Sequence, residues 1–236
     1  MIELYAYPDT YSIGCHMLLE ESGVEYRVND VSAFEHLRKS AREKAEAGFN
    51  EASPHRRVPA LRIDNEQGAS QSLCESGAIA LHLSDSLCNG AFSIPSNSHK
   101  RPRYLQWLFY LSSTLQPEVM LQFHPEHYFD DENLQQRLQK ASMDRLEEIW
   151  SVLERQYQNG PWMFDNRPTA VDFCLATVLL WPECFPRQLQ AYPNLSSSIN
   201  AIKQRPACSH VIQWHQGKTP LTGNPRSTTA NSSVDE

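Results

Sequence analysis

The first third of the chain alternates between stretches of period-two hydrophobicity and stretches of helical period. Apolar and polar residues alternate over 2–7, which predicts a strand. A turn rich in capping residues follows, and from Ile13 the apolar positions recur at helical spacing until Gly23, a residue suited to ending a helix. A second strand is predicted from Val24 to Val31. Because a helix joins the two strands, they are expected to form a parallel β-α-β unit.

The same alternation continues up to residue 88. The stretch 33–50 is polar and rich in Lys, Glu and Ala, which predicts a solvated helix. Strands are predicted over 60–64 and 70–73, with a turn at 66–68 between them, and a helix over 75–87. The order β-α-β-α-β-β-α predicts a small α/β domain over 1–88.

Beyond this point the period-two pattern disappears. Residues 89–100 are rich in turn formers and predict a linker. Long stretches of helical period then predict an all-helical domain over 101–217, with helices over 101–123 and 131–158. The last stretch, 218–236, is rich in Ser, Thr and Asn and lacks apolar anchors, so it predicts a disordered tail.

Thr169 and Asp172 have the spacing of a capping box and follow Pro168. The stretch behind them, Phe173 to Trp181, is apolar on every side of a helix, and such helices are buried. We therefore expect the helical domain to be organised around a helix that begins at Thr169.

Composition excludes several classes of partner. The net charge is −7 and the pI is near 5.7, whereas general nucleic-acid binding requires a basic face. The sequence contains no run of about 18 apolar residues, so no membrane span is predicted. The N-terminus lacks the pattern of a signal peptide, so a cytoplasmic protein is expected. The six cysteines form no Cys-x-x-Cys pair, which favours buried free thiols over disulfides.

Val58-Pro59 precedes the predicted strand 60–64. Proline has no backbone N–H to donate, so it belongs at the first position of a strand or in a turn. The N–H and C=O of Val58 are then left open to an extended ligand. The alternative is that this pair forms only a turn.

Glu75-Ser76 begins the predicted helix 75–87. A helix N-terminus attracts a carboxylate, although Glu and Ser at this place are equally consistent with simple capping. Arg56 and Arg57 are a candidate site for a second carboxylate, although such a pair is usually solvated.

Three motifs in this order resemble those of the soluble glutathione transferase family, and the resemblance extends from residue 1 to about residue 215. It is closest to bacterial nu-class and theta-like members. The resemblance implies a thioredoxin-like α/β domain followed by an all-α helical bundle, a homodimer, glutathione as co-substrate and no metal. The motifs are Val58-Pro59-Ala60-Leu61, Glu75-Ser76-Gly77-Ala78-Ile79 and Thr169-Ala170-Val171-Asp172-Phe173.

The resemblance also assigns roles to the candidate residues. Val58 would pair with the backbone of glutathione, as an added strand does. Glu75 would receive the amine, while Ser76 and the helix N-terminus would take the γ-glutamyl carboxylate. Arg57, with Arg56 beside it, would bind the glycyl carboxylate.

A thiol with a pKa near 8.5 must become a thiolate to react at neutral pH. A hydroxyl where the first strand meets the first helix would stabilise that anion. Ser12 is the first candidate and Tyr11 the second, although Ser12 is also a suitable helix cap. Asp9 is a poor candidate because its charge would repel a thiolate. The remaining candidates are Thr10, Tyr5 and Tyr7.

Two aromatic residues and a leucine on the first helix of the helical domain are candidates for an acceptor pocket between the domains. They are Tyr104, Trp107 and Leu111, and the alternative is that this stripe is core or dimer surface. His124 and His127 have no third ligand in the sequence pattern, so no metal is expected.

The predicted function is a glutathione transferase that stabilises the thiolate for attack on a hydrophobic electrophile. One alternative is a glutathione-dependent disulfide reductase, and another is a non-catalytic module that uses the fold for binding. No nucleic acid or membrane is an expected partner.

Overall fold

The computed structural model of the protein describes residues 1–64, 69–164, 166–218 and 227–229. The chain divides into two compact units, one of them Met1–Ser93 with the chain from Lys203 onward, the other Ile94–Ile202. The first unit contains a β-sheet flanked by helices, and the second is helical. The expected fold class, an α/β domain with an all-α domain, is confirmed.

The sheet of the first unit has the strand order β4-β3-β1-β2-β5. β1 pairs in parallel with β2 and antiparallel with β3, so the predicted β-α-β unit is present. The turn expected at 66–68, between β3 and β4, lies outside the described residues. The strands are β1 (Ile2–Ala6), β2 (Tyr26–Asp30), β3 (Ala60–Asp64), β4 (Ser70–Cys74) and β5 (Ser227–Thr229).

The helices follow the predicted order, with boundaries that differ by a few residues. In the first unit they are α1 (Ser12–Ser22), α2 (Lys39–Ala52), α3 (Ser76–His82) and, near the end of the chain, α9 (Pro206–His215). The helical unit contains α4 (Arg101–Tyr110), α5 (Gln116–Phe123), α6 (Glu132–Gln156), α7 (Ala170–Leu179) and α8 (Pro193–Lys203). Among the described helices, none combines the length and the apolar character that crossing a membrane requires.

The structure places the last helix differently from the predicted domain boundary at 217. α9 packs against α1, so it belongs with the first unit. Its Cys208, Val211 and Trp214 side chains are buried. Arg205, just before α9, donates two hydrogen bonds of 2.6 Å to the carboxylate of Glu21 on α1. A long-range ion pair and a buried apolar face therefore fix this helix to the α/β unit.

The predicted single helix 101–123 is divided at Leu111–Leu115, where the helical turn widens. Pro117 follows that segment and has no N–H to donate, so the regular ladder of hydrogen bonds cannot continue through it. The hydroxyls of Ser112 and Ser113 donate to backbone carbonyls one turn earlier, at 3.1 and 2.6 Å.

The tail predicted as disordered over 218–236 falls largely outside the described residues. The described part contains β5, which pairs in parallel with β2. Its Ser-Thr-Thr sequence includes β-branched residues that favour strands, so the expectation of disorder does not hold for these three positions.

A buried polar network joins α1 to α9. Nδ1 of His16 lies 3.2 Å from Nε2 of His215, and Nε2 of His16 lies 3.1 Å from the Tyr26 hydroxyl. That hydroxyl donates to Glu20 at 2.5 Å. Burial lowers the pKa of His16 well below its usual value, and the neighbouring His215 lowers it further. Burial also lowers the pKa of His215, to about 3.

This network predicts that the protein loses stability in mild acid. The unfolded chain binds protons at these imidazoles below about pH 6.5, whereas the folded chain does not. The neutral imidazoles therefore make their full contribution to the free energy of unfolding above pH 6.5. That contribution falls as the pH drops towards about 3, the pKa of His215. Urea unfolding at a series of pH values measures this slope.

His215→Gln is the matched variant for that measurement. Below pH 6.5 its slope should be smaller than that of the wild type by up to about 1.4 kcal/mol per pH unit, since one proton fewer is bound on unfolding. The carboxylates contribute equally to both proteins. Equal slopes would show that His215 does not resist protonation.

Candidate functional site

Three chain segments meet at one edge of the sheet. Tyr5 near the end of β1 faces Ala60 at the start of β3, and Ala60 faces Cys74 at the end of β4. β3 runs opposite to the other two, so the segments beyond these residues emerge at the same edge. They are the turn 7–11, the turn 53–59 and the start of α3. The sheet register thus brings together residues that are far apart in sequence.

The turn 53–59 is held in shape by Ser53. The Ser53 hydroxyl donates to the Arg57 carbonyl at 2.8 Å and accepts the Arg57 N–H at 2.9 Å. The peptide bond between Val58 and Pro59 is cis. The Val58 side chain packs against the core cluster around Tyr5. Within the described residues, the Val58 N–H and carbonyl make no hydrogen bond. Its role in binding a ligand stays a prediction.

Arg56 and Arg57 are exposed, and their guanidinium groups pair with no carboxylate among the described residues. In a protein of net charge −7, two unpaired cations in one turn form a local positive region. Guanidinium groups bind planar carboxylates with two parallel hydrogen bonds. The turn can therefore hold an anionic group.

Glu75 and Ser76 lie at the start of α3. The Glu75 carbonyl accepts the N–H of Ile79 at 2.9 Å, which begins the helix, and the Glu75 side chain is exposed. Cys15 on α1 donates through its thiol to the Ser76 carbonyl at 3.5 Å. This contact ties the start of α3 to the first turns of α1, where the candidate hydroxyls lie.

Backbone strain is concentrated at this edge. Positive φ angles occur at Asp9 (54°), Arg56 (53°) and Glu75 (71°), one in each of the three converging segments. Asn89 (49°) is a further non-glycine residue with this conformation. Such residues cost of order 1–3 kcal/mol each and tend to cluster at functional sites. The clustering marks the same edge that the sequence motifs selected.

The hydroxyl groups of Thr10 and Ser12 form a pair at the start of α1. Oγ1 of Thr10 lies 2.8 Å from the Tyr7 carbonyl and 2.9 Å from Oγ of Ser12. A threonine hydroxyl has one hydrogen, so it donates to only one of these acceptors at a time. When it donates to Tyr7, the Ser12 hydroxyl is free to donate to Thr10. When it donates to Ser12, the hydrogen of Ser12 is free for another acceptor.

The candidate activators differ in accessibility. Ser12 is fully buried, Tyr11 is half-buried and Tyr7 is exposed. Tyr5 lies in the core, where its ring stacks on Phe49 at 5.4 Å, and burial raises the pKa of its hydroxyl. Tyr5 is therefore part of the packing. Sequence reasoning named Thr10 as a lesser candidate and missed its hydrogen bond to Ser12, because no sequence pattern specifies side-chain rotamers.

Cys88 and Cys184 are poor candidates for a nucleophile of the protein's own. Burial raises the pKa of Cys88 to about 11 and that of Cys184 to about 12. Raised thiol pKa values belong to structural cysteines, whereas reactive ones have lowered values. A thiol bound as substrate is a better source of nucleophile for this site.

The residues predicted to line an acceptor pocket lie on and just after α4 of the helical unit, and all three are buried. Tyr104 packs edge-on against Phe164 with ring centroids 6.0 Å apart. Trp107 packs against Tyr110 at 5.1 Å, and Leu111 is also buried. Nε1 of Trp107 is buried without a hydrogen-bond partner in the described part of the chain. A buried polar atom without a hydrogen-bond partner is unusual in a folded protein.

Taken together, the sheet edge offers an open backbone N–H and C=O, a carboxylate, two guanidinium groups and a pair of hydroxyls. This set suits a short peptide that carries an amine, two carboxylates and a group that becomes anionic. No single residue in the set identifies such a ligand. The set as a whole suits it because these groups lie at the same edge of the sheet.

Comparison with known families gives two matches along the chain. Residues 10–86 match the model of the glutathione S-transferase N-terminal domain, and residues 118–213 match the model of the C-terminal domain. The first match includes the turn 53–59 and the start of α3. The second includes α7 with its capping box.

Two curated relatives and one solved structure are similar to the chain. The chain is 25% identical to glutathione S-transferase GstA of Escherichia coli O157:H7 over 211 residues, which is 89% of this chain and 97% of the relative. It is also 23% identical to the disulfide-bond oxidoreductase YghU of Escherichia coli K12. That match covers 58% of this chain and 43% of YghU. A sphingomonad glutathione S-transferase complexed with glutathione has a TM-score of 0.72, with 22% identity, over 91% of this chain and 98% of that one.

Proposed function

The chain belongs to the glutathione S-transferase family, and we propose that it binds glutathione at the sheet edge and activates its thiol for attack on an electrophile. The observation that carries this proposal is the convergence of Val58, Glu75 and Arg57 at one edge, each with an open or exposed polar group. The nu-class or theta-like affinity expected from the motifs stays a prediction. A homodimer is the expected assembly.

Glutathione is held by groups of complementary charge. Its backbone pairs with the N–H and C=O of Val58, in the manner of an added strand. The carboxylate of Glu75 accepts hydrogen bonds from the amine, and Ser76 donates to the γ-glutamyl carboxylate. The glycyl carboxylate meets Arg57, with Arg56 one residue away. This assignment leaves the thiol to face the turn 7–11.

Activation of the thiol uses the hydroxyl pair. Thr10 donates to Ser12 at 2.9 Å, and Ser12 then donates its own hydrogen to the sulfur. Two hydroxyls donating in sequence polarise one another, which strengthens the final hydrogen bond to the anion. A donor aimed at a developing anion stabilises it and so lowers the thiol pKa.

Ser12 is fully buried, so this role requires the turn 7–11 to move enough to admit the sulfur. Tyr11, half-buried beside it, is the second candidate for the donor. The thiolate then attacks the electrophilic atom, forms the carbon–sulfur bond and displaces a leaving group or adds to a double bond. The acceptor contacts expected at Tyr104, Trp107 and Leu111 of the helical unit stay a prediction, since all three side chains are buried.

Disulfide reduction is the second candidate function. The partial similarity to YghU favours it, since that relative is described as a disulfide-bond oxidoreductase. The same thiolate would attack a disulfide sulfur and release a thiolate, and a second glutathione would then resolve the mixed disulfide.

Turnover with two substrates in parallel tests the proposal. With glutathione, a transferase converts an aromatic halide such as 1-chloro-2,4-dinitrobenzene, whereas a disulfide reductase consumes hydroxyethyl disulfide. We expect the first activity to dominate. Dominance of the second would favour reduction. Absence of both, together with no glutathione binding by calorimetry, would favour a non-catalytic module.

A further inference from the structure

A short exposed segment between α5 and α6 brings together two histidines and one glutamate. Nδ1 of His124 lies 3.0 Å from Oε1 of Glu126, and Nε2 of His127 lies 3.9 Å from the same oxygen. One ligand atom from each of the three residues lies within 4.8 Å of the other two. No metal was expected from the sequence because the two histidines were considered without Glu126, which lies between them in the chain. The structure places the Glu126 carboxylate within 3.9 Å of a ring nitrogen of each histidine.

The local backbone arranges these side chains. Pro125–His127 is a turn of 3₁₀ helix, a geometry in which residues three apart are eclipsed. The His127 N–H donates to the His124 carbonyl at 3.2 Å, which closes the turn. The two imidazole rings are stacked, with centroids 4.9 Å apart and planes within 10°, so at least one ring must rotate before both nitrogens point at a single metal. Pro125 fixes its own φ, so the turn that presents the ligands is stiff.

We propose that His124, Glu126 and His127 form a surface site for a divalent transition metal of the zinc, copper and nickel type. Metal–ligand bonds of about 2.0–2.2 Å place tetrahedral ligand atoms roughly 3.3 Å apart. The observed separations of 3.0 and 3.9 Å bracket this value. Rotation of exposed side chains is enough to complete the geometry, since all three residues are exposed.

The donor set determines the class of metal. Imidazole nitrogen suits zinc, copper and nickel, whereas magnesium and calcium prefer sites built from oxygen alone. Three protein ligands leave at least one position for water, because the site faces solvent. Binding should follow the usual order for divalent metals, with Cu²⁺ tighter than Ni²⁺ or Zn²⁺.

This site is separate from the glutathione chemistry proposed above. All three ligands belong to the helical unit, and none of them was assigned a role in binding or activating glutathione. The metal proposal therefore stands or falls independently of the proposed transferase activity.

Calorimetric titration of the tag-free protein with Zn²⁺ tests the site. The wild type should bind one Zn²⁺ through this cluster. His127→Ala and Glu126→Gln should each weaken that event by at least about tenfold, the scale on which disturbed ligand sets lose affinity. His99→Ala, which removes another exposed histidine of the same unit, should leave it unchanged. Mg²⁺ should give no corresponding heat.

A spectroscopic measurement identifies the ligands directly. The electron paramagnetic resonance spectrum of bound Cu²⁺ should show coupling to two nitrogens in the wild type and to fewer in His124→Ala. Thermal unfolding without metal should be the same for all variants, since the replaced side chains are exposed. Zinc affinity unaffected by His127→Ala, or lost equally in His99→Ala, would overturn the assignment.

Discussion

Replacing Asp172 with alanine is expected to cost at least about 3 kcal/mol of the free energy of unfolding. Asp172 is buried in the helical unit, where its carboxylate accepts four hydrogen bonds. The donors are the Tyr157 hydroxyl at 2.8 Å, the Met163 N–H at 2.9 Å, and the Thr169 N–H and hydroxyl at 2.6 and 2.9 Å. Alanine leaves these buried donors without partners, and each such donor costs about 1–3 kcal/mol before relaxation.

Urea unfolding followed by circular dichroism measures this loss as a lower midpoint. Asp144→Ala removes an exposed acid from α6 and should change the stability by less than about 0.5 kcal/mol. Tyr157→Phe should cost less in the Asp172→Ala protein than in the wild type, since its hydrogen bond is already lost. If Asp172→Ala unfolds at the wild-type midpoint, the carboxylate does not organise this unit.

Glu75→Gly is expected to weaken glutathione binding by about tenfold or more without lowering stability. The side chain is proposed to accept charge-assisted hydrogen bonds from the amine of glutathione, which contribute about 1.5–3 kcal/mol. Glu75 also has a φ of 71°, a conformation that glycine adopts with little strain. If Glu75 served only the backbone conformation, glycine should therefore replace it without loss of stability or of glutathione affinity.

Asn89→Gly is the matched control for this variant, because Asn89 has a φ of 49° and is exposed away from the converging segments. It should relieve comparable strain and leave glutathione affinity unchanged. Calorimetry with glutathione and urea unfolding together separate the two effects. If Glu75→Gly binds glutathione with wild-type affinity, Glu75 does not contact the ligand, and its backbone strain has no functional explanation.

The sequence could indicate the segments at this sheet edge because the turn before β3 and the start of α3 depend on local chemistry. Proline at 59 favours the turn just before a strand, and Glu75-Ser76 favours the start of a helix, on local chemistry alone. The capping box at Thr169 is of the same kind, and the structure confirms it.

Features that depend on distant residues could not be predicted in this way. α9 joins the α/β unit through Arg205 and Glu21, which are 184 residues apart, so helical periodicity alone assigned it to the neighbouring domain. The hydrogen bond between Thr10 and Ser12 depends on two rotamers, and the approach of Glu126 to His124 depends on a 3₁₀ turn. Periodicity specifies which face of an element is buried, and it carries no information about such contacts.

The pKa of the bound thiol tests most directly whether this site binds glutathione and stabilises its thiolate. Titration of the thiolate ultraviolet absorbance measures that pKa in the wild type, Ser12→Ala and Tyr11→Phe. We expect the wild type to lower it clearly below the value of about 8.5 typical of a free thiol. Ser12→Ala should return it towards that value, whereas Tyr11→Phe should change it little. A bound thiol that titrates in the wild type as it does in free solution would contradict the account.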